Sequence, residues 1–217
     1  MNNQPIAIGS FVVVAGCEGA GKTTHMERLK SLLPNAKFFR EPGGTKFAEE
    51  EMRRLMLKSE YSSGMSPYQH MNLVFAGRED NVRAIVIPAR TQGIHVFADR
   101  FDCCSFAYQV HGMEGDHLLE HFQSCRRHMG PEWCLPSLYI ILDVSPEVGM
   151  KRVALRAAAK GEVNHFDERG PEFHARVREG YKHFAKLYPE KVVIIDAERS
   201  KEEVWKDIEK TIAPFIS

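Results

Sequence analysis

The chain has 217 residues, of which 43% are apolar and 27% charged, and its 29 basic residues balance its 29 acidic ones. This length and composition suit one soluble domain, here residues 1–217, with a sizeable core. The balanced charge argues against a general nucleic-acid-binding surface, and no run approaches the roughly 18 consecutive apolar residues of a membrane span.

Five short apolar runs alternate with helical patterns along the chain. They are β-branched and continuously apolar, as in strands buried on both faces of a parallel sheet. The sequence therefore predicts a three-layer α/β fold with a five-stranded parallel sheet, which binds ligands at the carboxyl ends of its strands. The runs are 11-FVVVA-15, 36-AKFF-39, 94-IHVFA-98, 138-LYIIL-142 and 192-VVII-195.

Start and stop signals place the helices between these runs. The first helix is predicted over residues 22–33. Ser66 followed by proline favours the start of a long helix that runs towards Gln92 and bends at Pro88. Ser145 repeats that start signal, and the last helix is predicted over residues 200–213.

The N-terminus and the cysteines indicate a cytoplasmic protein. The first ten residues, MNNQPIAIGS, lack the basic start and apolar run of a signal peptide. The five cysteines are odd in number and lack the paired spacing of a disulfide framework or a zinc site. A reducing compartment is the simplest interpretation.

A complete P-loop pattern, G-x-x-x-x-G-K-[ST], lies between the first run and the first helix. Its glycines let backbone N–H groups converge on phosphate oxygens, and the helix N-terminus adds a positive dipole end. Lys22 is predicted to reach the β- and γ-phosphates, and Thr23 to bind Mg²⁺. The predicted ATP-binding residues of this loop are Gly16, Cys17, Glu18, Gly19, Ala20, Gly21, Lys22, Thr23 and Thr24.

Glu18 is unexpected, because a carboxylate should repel a polyphosphate. We expect its side chain to face across the cleft, towards the acceptor, where it can accept a hydrogen bond from a sugar hydroxyl or pair with Arg100. The alternative is a solvent-facing loop glutamate.

The third strand ends in Asp99 and Arg100, which suggest a second site beside the P-loop. Asp99 lies where a P-loop protein usually keeps an acidic residue near Mg²⁺, and Arg100 where an acceptor or transferring phosphate would lie. Asp102 is predicted to cap the next helix.

On that next helix Ser105, Tyr108 and Gln109 are spaced i, i+3, i+4 and share one face. That face could read a base edge and crowd a sugar, or it could be an ordinary mixed face. Arg53 and Phe75 also allow two interpretations, a ligand contact for each or a solvated arginine and a core phenylalanine.

After the fourth strand, Arg152, Arg156 and Lys160 recur every four residues on one helical stripe. Like charges at this spacing repel, and a polyphosphate would offset that repulsion. The polar segment 161-GEVNHFDERG-170 follows, so we predict a mobile lid over about residues 156–170. The alternative is a solvated helix face with a surface loop.

Taken in order, the motifs resemble those of the thymidylate kinase family over residues 11–196. They are GCEGAGKTT, REPGGT, DRF-x-x-x-S-x-AYQ and LDVSPEVGMKR, followed by the basic lid. The second and third motifs together are far more specific than the P-loop. The alternatives are a deoxynucleoside kinase and a non-catalytic nucleotide-binding module, which a P-loop alone does not exclude.

The resemblance implies a homodimeric enzyme that uses ATP and Mg²⁺ to phosphorylate dTMP. Arg53 and Arg100 would then bind the acceptor phosphate, and Tyr108 would crowd the 2′ position. Arg152 would lie near adenine. The implied catalytic residues are Lys22, Asp99, Arg100 and Arg156, and the implied dTMP-binding residues are Glu18, Arg53, Phe75, Arg78, Arg100, Ser105, Tyr108 and Gln109.

Two departures from the family pattern bear on the acceptor site. Val74 stands where the family often has a base-stacking aromatic, four residues before Arg78, and Phe75 is one place along. Either Phe75 takes over on a rotated helix, or the stacking contact is weakened. One extra residue also separates Thr45 from Arg53.

Overall fold

Five parallel strands form one sheet. They are β1 (Phe11–Gly16), β2 (Lys37–Arg40), β3 (Val96–Asp99), β4 (Leu138–Asp143) and β5 (Val192–Asp196). Their spatial order is β2-β3-β1-β4-β5, which confirms the predicted parallel sheet. The structure is a computed structural model that describes residues 8–57, 60–160 and 166–216, without the side chain of Lys160.

The prediction that the strands are buried on both faces holds for the centre of the sheet and fails at its edges. All six residues of β1 are buried, because β3 and β4 flank it in the sheet. In the edge strand β5, by contrast, Val193 is 38% exposed and Ile194 is 42% exposed. An apolar run therefore predicted a strand here without predicting its place in the sheet.

Helices connect these strands and cover the sheet. They are α1 (Lys22–Leu32), α2 (Arg53–Leu57), α3 (Pro67–Asn81), α4 (Ile87–Arg90), α5 (Asp102–Ser105), α6 (Leu119–His128), α7 (Pro146–Lys160), α8 (Pro171–Leu187) and α9 (Lys201–Ile216). Within the described ranges, π-helical segments at Ala48–Met52, Val82–Val86 and Phe106–Gly112 adjoin some of them. None of the described helices is long and apolar enough to cross a bilayer.

The long helix is confirmed, since residues 67–90 are helical without a break. The Ser66 hydroxyl accepts from the Gln69 backbone N–H at 3.2 Å, and the Gln69 side chain accepts from the Ser66 N–H at 2.9 Å. Residues Val82–Val86 form a π-helical segment within this helix, between α3 and α4. Pro88 lies at the start of α4, where it cannot donate to a carbonyl four residues earlier.

The predicted lid falls partly outside the described residues. Its first part, residues 156–160, continues α7, while residues 161–165 are not described. Residues 166–170 lead into α8. The mobility of this segment stays a prediction.

Candidate functional site

A cleft of about 1080 Å³ opens at the carboxyl ends of the strands, as the parallel sheet predicts. Its walls come from the P-loop after β1, Arg40–Pro42 at the end of β2, and Asp99–Phe101 at the end of β3. Helix α7 contributes Arg152 and Arg156. The predicted ATP and acceptor residues therefore meet in one cavity, apart from Gly16, Cys17 and Phe75.

Glycines shape the P-loop. Gly19 has φ of 73° and Gly21 has φ of 88°, both in the left-handed region that favours glycine. A Cβ atom on Gly19 would lie 2.2 Å from the carbonyl oxygen of Gly149, in α7. The loop thus packs directly on α7 and positions the arginines of that helix beside it.

Lys22 is held inside the loop. Its Nζ donates to the carbonyl oxygens of Gly16 at 3.1 Å and Cys17 at 2.7 Å, and the residue is 7% exposed. Gly16 and Cys17 do not line the cleft, and their carbonyl oxygens orient the Lys22 side chain instead. Burial and Arg100 lower the pKa of Lys22, and the nearby carboxylates oppose this shift.

Glu18 faces Arg100 across the cleft, so the predicted pairing is confirmed and the solvent-facing alternative is wrong. The carboxylate lies 2.5 Å from the Arg100 guanidinium and accepts from the Tyr108 hydroxyl at 3.0 Å. The two charged side chains are only 10% and 19% exposed. Burial disfavours the charged carboxylate, but Arg100, Lys22 and Tyr108 together lower the pKa of Glu18 to about 2.

Arg100 itself has an unusual backbone. Its φ of 72° lies in the left-handed region, which disfavours L residues by roughly 1–2 kcal/mol. Its guanidinium also donates to the Tyr108 hydroxyl at 3.1 Å. A strained conformation combined with two side-chain partners indicates a residue whose position is closely defined.

Arg78 is almost completely buried at the other side of the acceptor end. Its Nε and Nη2 donate to Glu41 at 2.8 and 2.7 Å, and Asn81 donates to the same carboxylate at 3.4 Å. Burial raises the pKa of Glu41 to about 7, with Arg78 opposing the shift. The Nη1 of Arg78 is buried without a hydrogen-bond partner in the described part of the chain.

The predicted contact of Phe75 with a base needs correction, because Phe75 does not line the cleft. It is 7% exposed and packs on Phe122, while the Arg78 guanidinium lies 4.6 Å from its ring centre. Val74 and Arg78 do line the cleft, since residues four apart share a helix face. Helix α3 is therefore not rotated to bring Phe75 into the site.

Arg53 reaches the cleft despite the extra residue before it. The π-helical segment Ala48–Met52 ends just before Arg53, and a π turn holds one more residue than an α turn. Arg53 donates to the Pro42 carbonyl at 2.7 Å and lies 3.4 Å from Glu49. The Glu41–Pro42 peptide bond is cis.

The predicted shared face of Ser105, Tyr108 and Gln109 is confirmed. All three line the cleft and are at most 5% exposed. The hydroxyl of Ser105 is buried, and it has no hydrogen-bond partner among the described residues. A ligand in this end of the cleft could therefore satisfy both Ser105 and Arg78.

Thr23 and Asp99 are the residues that could hold Mg²⁺. Both line the cleft, and Asp99 Oδ1 is buried without a partner in the described ranges. No group of three or more His, Cys, Asp or Glu side chains among those ranges could bind a metal alone. This fits Mg²⁺, which commonly binds one or two protein ligands together with substrate phosphates and water.

The two cleft arginines of α7 have different partners. Arg152 donates to the backbone carbonyls of Gly19 at 3.3 Å and Ala197 at 2.9 Å. Arg156 is 42% exposed and lies 3.4 Å from Asp167. The side chain of Lys160, the third residue of the predicted stripe, lies outside the described residues.

Sequence reasoning missed several cleft residues at the P-loop end. They follow the end of β5, a position where the strand-end rule would have indicated a ligand site. His25 was also missed; it is 3% exposed, and no described residue bonds its Nδ1. The residues after β5 are Ala197, Arg199, Lys201 and Val204.

The predicted N-cap role of Asp102 is wrong. Phe101 is the N-cap of α5, and Asp102 is its first helical residue. The Asp102 carboxylate is fully buried, 2.5 Å from Arg126 and 3.1 Å from the Tyr139 hydroxyl. It therefore joins α5 to α6 and β4 instead of capping a helix.

Comparisons with known proteins place the chain among similar sequences. The family model described as thymidylate kinase matches residues 14–208. A thymidylate kinase of Legionella pneumophila (strain Corby) is 32% identical over 216 residues, covering 96% of each chain. One from Nitrosospira multiformis is 35% identical over 214 residues, covering 96% of this chain and 99% of the relative.

A solved structure supports the fold. The crystal structure of thymidylate kinase from Ehrlichia chaffeensis has a TM-score of 0.70 and 24% identity, and covers 94% of this chain and 98% of that one. The family model spans most of the chain, and the relatives above exceed 30% identity over nearly its full length. The chain therefore belongs to the thymidylate kinase family.

Proposed function

We propose that this protein transfers the γ-phosphoryl group of ATP to dTMP and forms ADP and dTDP. The observation that carries the proposal is the direct contact between Glu18 of the P-loop and Arg100 after β3. This contact places a cation suited to an acceptor phosphate beside the loop that binds the donor phosphates. Membership of the thymidylate kinase family identifies the acceptor.

The chemistry requires no strong general base, because dTMP is already a phosphate monoester. Catalysis then consists of positioning the two substrates and neutralising charge on the transferred group. Lys22, Arg100 and Arg156 line the cleft and supply positive charge. Thr23 and Asp99 would hold Mg²⁺, which supplies further positive charge to the phosphates when it is bound.

Acceptor recognition follows from the groups that lack partners. Arg78 Nη1 and the Ser105 hydroxyl are buried at the cleft wall without partners in the described ranges, and they can bond the polar edge of a pyrimidine. Gln109 lines the same cleft, and Arg53 offers charge to the acceptor phosphate.

Selection of the sugar depends on Tyr108. Its hydroxyl is held by hydrogen bonds with Glu18 and Arg100, so it would crowd a 2′ hydroxyl and favour deoxyribose.

The donor would occupy the opposite end. The P-loop amides around Gly19–Thr24 bind its phosphates, and its base lies towards Arg152 and the residues after β5. Closure of the lid over residues 156–170 would exclude water and suppress ATP hydrolysis.

We further propose a cytoplasmic homodimer without nucleic-acid or membrane partners. The balanced net charge and five cysteines that are free of disulfides support this assignment. The family resemblance supports the dimer.

A coupled ADP-release assay tests the function. The acceptors are dTMP, dUMP, dGMP, dCMP, AMP and thymidine, each with ATP and Mg²⁺. We expect dTMP to give the highest kcat/KM and thymidine to give no turnover above the ATP-only background. Turnover of thymidine in preference to dTMP would indicate a deoxynucleoside kinase instead, and ATP binding without turnover of any acceptor would indicate a binding module.

A further inference from the structure

An aromatic ring lies at the acceptor end in addition to the residues predicted there. Phe166, five residues before α8, lines the cleft and is 6% exposed. Its ring centre lies 5.4 Å from that of Tyr108 with the planes at 83°, and 5.5 Å from the His70 ring. Phe173 of α8 stacks behind it at 6.0 Å and 19°.

The neighbours of Phe166 place it over the wall that would face the acceptor base. His70, Val74 and Arg78 are spaced by four residues, so they form one face of α3. Val74 and Arg78 line the cleft on that face, and Phe166 contacts its His70 end. Phe166 also contacts Tyr108, so it joins α3 to the Ser105–Gln109 wall.

Other aromatic rings near this wall contact the arginines of the site or lie outside the cleft. Phe101 is 0% exposed, and the Arg78 guanidinium lies over it at 4.9 Å. Tyr108 is held by hydrogen bonds to Glu18 and Arg100, and Phe75 does not line the cleft. Phe166 therefore supplies an aromatic ring to a cleft wall at which Val74 is aliphatic.

A pyrimidine base has polar edges and apolar faces, and its faces gain from aromatic contact. In the cleft the edge partners are Arg78 and Ser105, whose buried polar atoms lack partners among the described residues. We propose that Phe166 is a specificity-determining residue of the acceptor site, whose ring contacts the base of dTMP. This proposal rests on the assignment of dTMP as acceptor.

Phe166 also adjoins the phosphate end of the cleft through the chain. The next residue, Asp167, lies 3.4 Å from Arg156. Consecutive residues thus contact the acceptor-base wall and an arginine assigned to the transferred phosphate. Substitution of Phe166 should therefore weaken dTMP binding most and lower kcat to a smaller extent, with little effect on ATP affinity.

The test compares Phe166→Leu and Phe166→Ala with a matched core variant, Phe184→Leu. Phe184 is 0% exposed on α8, packs on Phe106 and Tyr139, and does not line the cleft. We expect a rise of roughly tenfold in the dissociation constant of dTMP for Phe166→Ala, and a smaller rise for Phe166→Leu. ATP affinity should stay within twofold in all three variants, and Phe184→Leu should bind dTMP like the wild type.

Deoxyribose 5-phosphate, which lacks the base, separates a base contact from a general disturbance. Its dissociation constant in calorimetry should be the same for Phe166→Ala and the wild type. Equal losses for dTMP and deoxyribose 5-phosphate, unchanged dTMP binding, or a similar loss in Phe184→Leu would each overturn the proposal. Calorimetry needs no turnover, so a failure of the proposed reaction would appear separately, in the wild-type ADP-release assay.

Discussion

The acceptor end and the donor end of the cleft hold their charges in different ways. At the acceptor end, Arg78 is 1% exposed against Glu41, and Arg100 is 19% exposed against Glu18. At the donor end, Arg152 donates to backbone carbonyls, and Arg199 is 37% exposed. The acceptor end is built from buried ion pairs. The donor end is built from cations that bind backbone carbonyls or are partly exposed to solvent.

The difference has an energetic meaning. A buried ion pair must offset the desolvation of both charges, which requires good geometry and further hydrogen bonds. Both acceptor pairs have such bonds, from Tyr108 to Glu18 and from Asn81 to Glu41. Substitutions in these buried pairs should therefore lower stability and activity together, whereas substitution of the donor-end arginines should lower affinity alone.

Arg100→Ala should have the largest effect. It removes a cation from the transferred phosphate and leaves Glu18, 10% exposed, without its ion-pair partner. We expect kcat/KM for dTMP to fall roughly 1,000-fold. The free energy of unfolding should fall by roughly 3 kcal/mol. Steady-state kinetics and urea unfolding measure the two losses.

A double variant separates these losses. Glu18→Gln combined with Arg100→Ala removes the unpaired charge, so most of the stability should return while activity stays low. Recovery of activity together with stability would show that Arg100 acts through folding alone. A stable but equally inactive single variant would show that the pair is not buried enough to matter for folding.

Arg53→Ala should have an intermediate effect at the same end. Arg53 lines the cleft beside the Pro42 carbonyl, and Arg54 is a matched control that is 60% exposed and pairs with Glu51. Loss of one charged hydrogen bond to the acceptor phosphate should raise KM for dTMP roughly tenfold.

KM for ATP should stay unchanged in Arg53→Ala. Arg54→Ala should match the wild type in KM for both ATP and dTMP. A rise in KM for ATP alone would place Arg53 at the donor end instead of beside the acceptor phosphate.

The same contrast separates what the sequence could predict from what it could not. The P-loop and the strand-end residues Asp99 and Arg100 were predictable, because their spacing is local and each follows a buried run. The direction of the Glu18 side chain was predictable as well, because a carboxylate in a phosphate-binding loop is expected to face away from the phosphates. The missed pair Glu41–Arg78 joins residues 37 apart, and Asp102–Arg126 joins residues 24 apart. Glu18 and Arg100 are 82 residues apart but both follow strand ends, whereas Arg78 and Arg126 lie within helices, so their partners depend on how those helices pack.

Helix phase was a second limit. An α-helical count from Thr45 leaves Arg53 one position out of phase, and the π-helical segment before it supplies the correction. For Phe75 the residue type suggested a base contact, but the ring packs on Phe122 behind Arg78. In both cases the side chain's direction depends on local helix geometry, which the residue pattern does not specify.

Arg152→Ala should have the smallest effect, and it tests the donor half of the comparison. The guanidinium makes bonds to two backbone carbonyls, of Gly19 and Ala197, so its loss leaves no charge unpaired. KM for ATP should rise roughly threefold to tenfold, while KM for dTMP and the urea midpoint stay unchanged. The neighbouring Lys151 is exposed and does not line the cleft, so Lys151→Ala is the matched control. A fall in unfolding free energy as large as that of Arg100→Ala would mean that the donor end is as dependent on its arginine as the acceptor end, and the contrast between the two ends would fail.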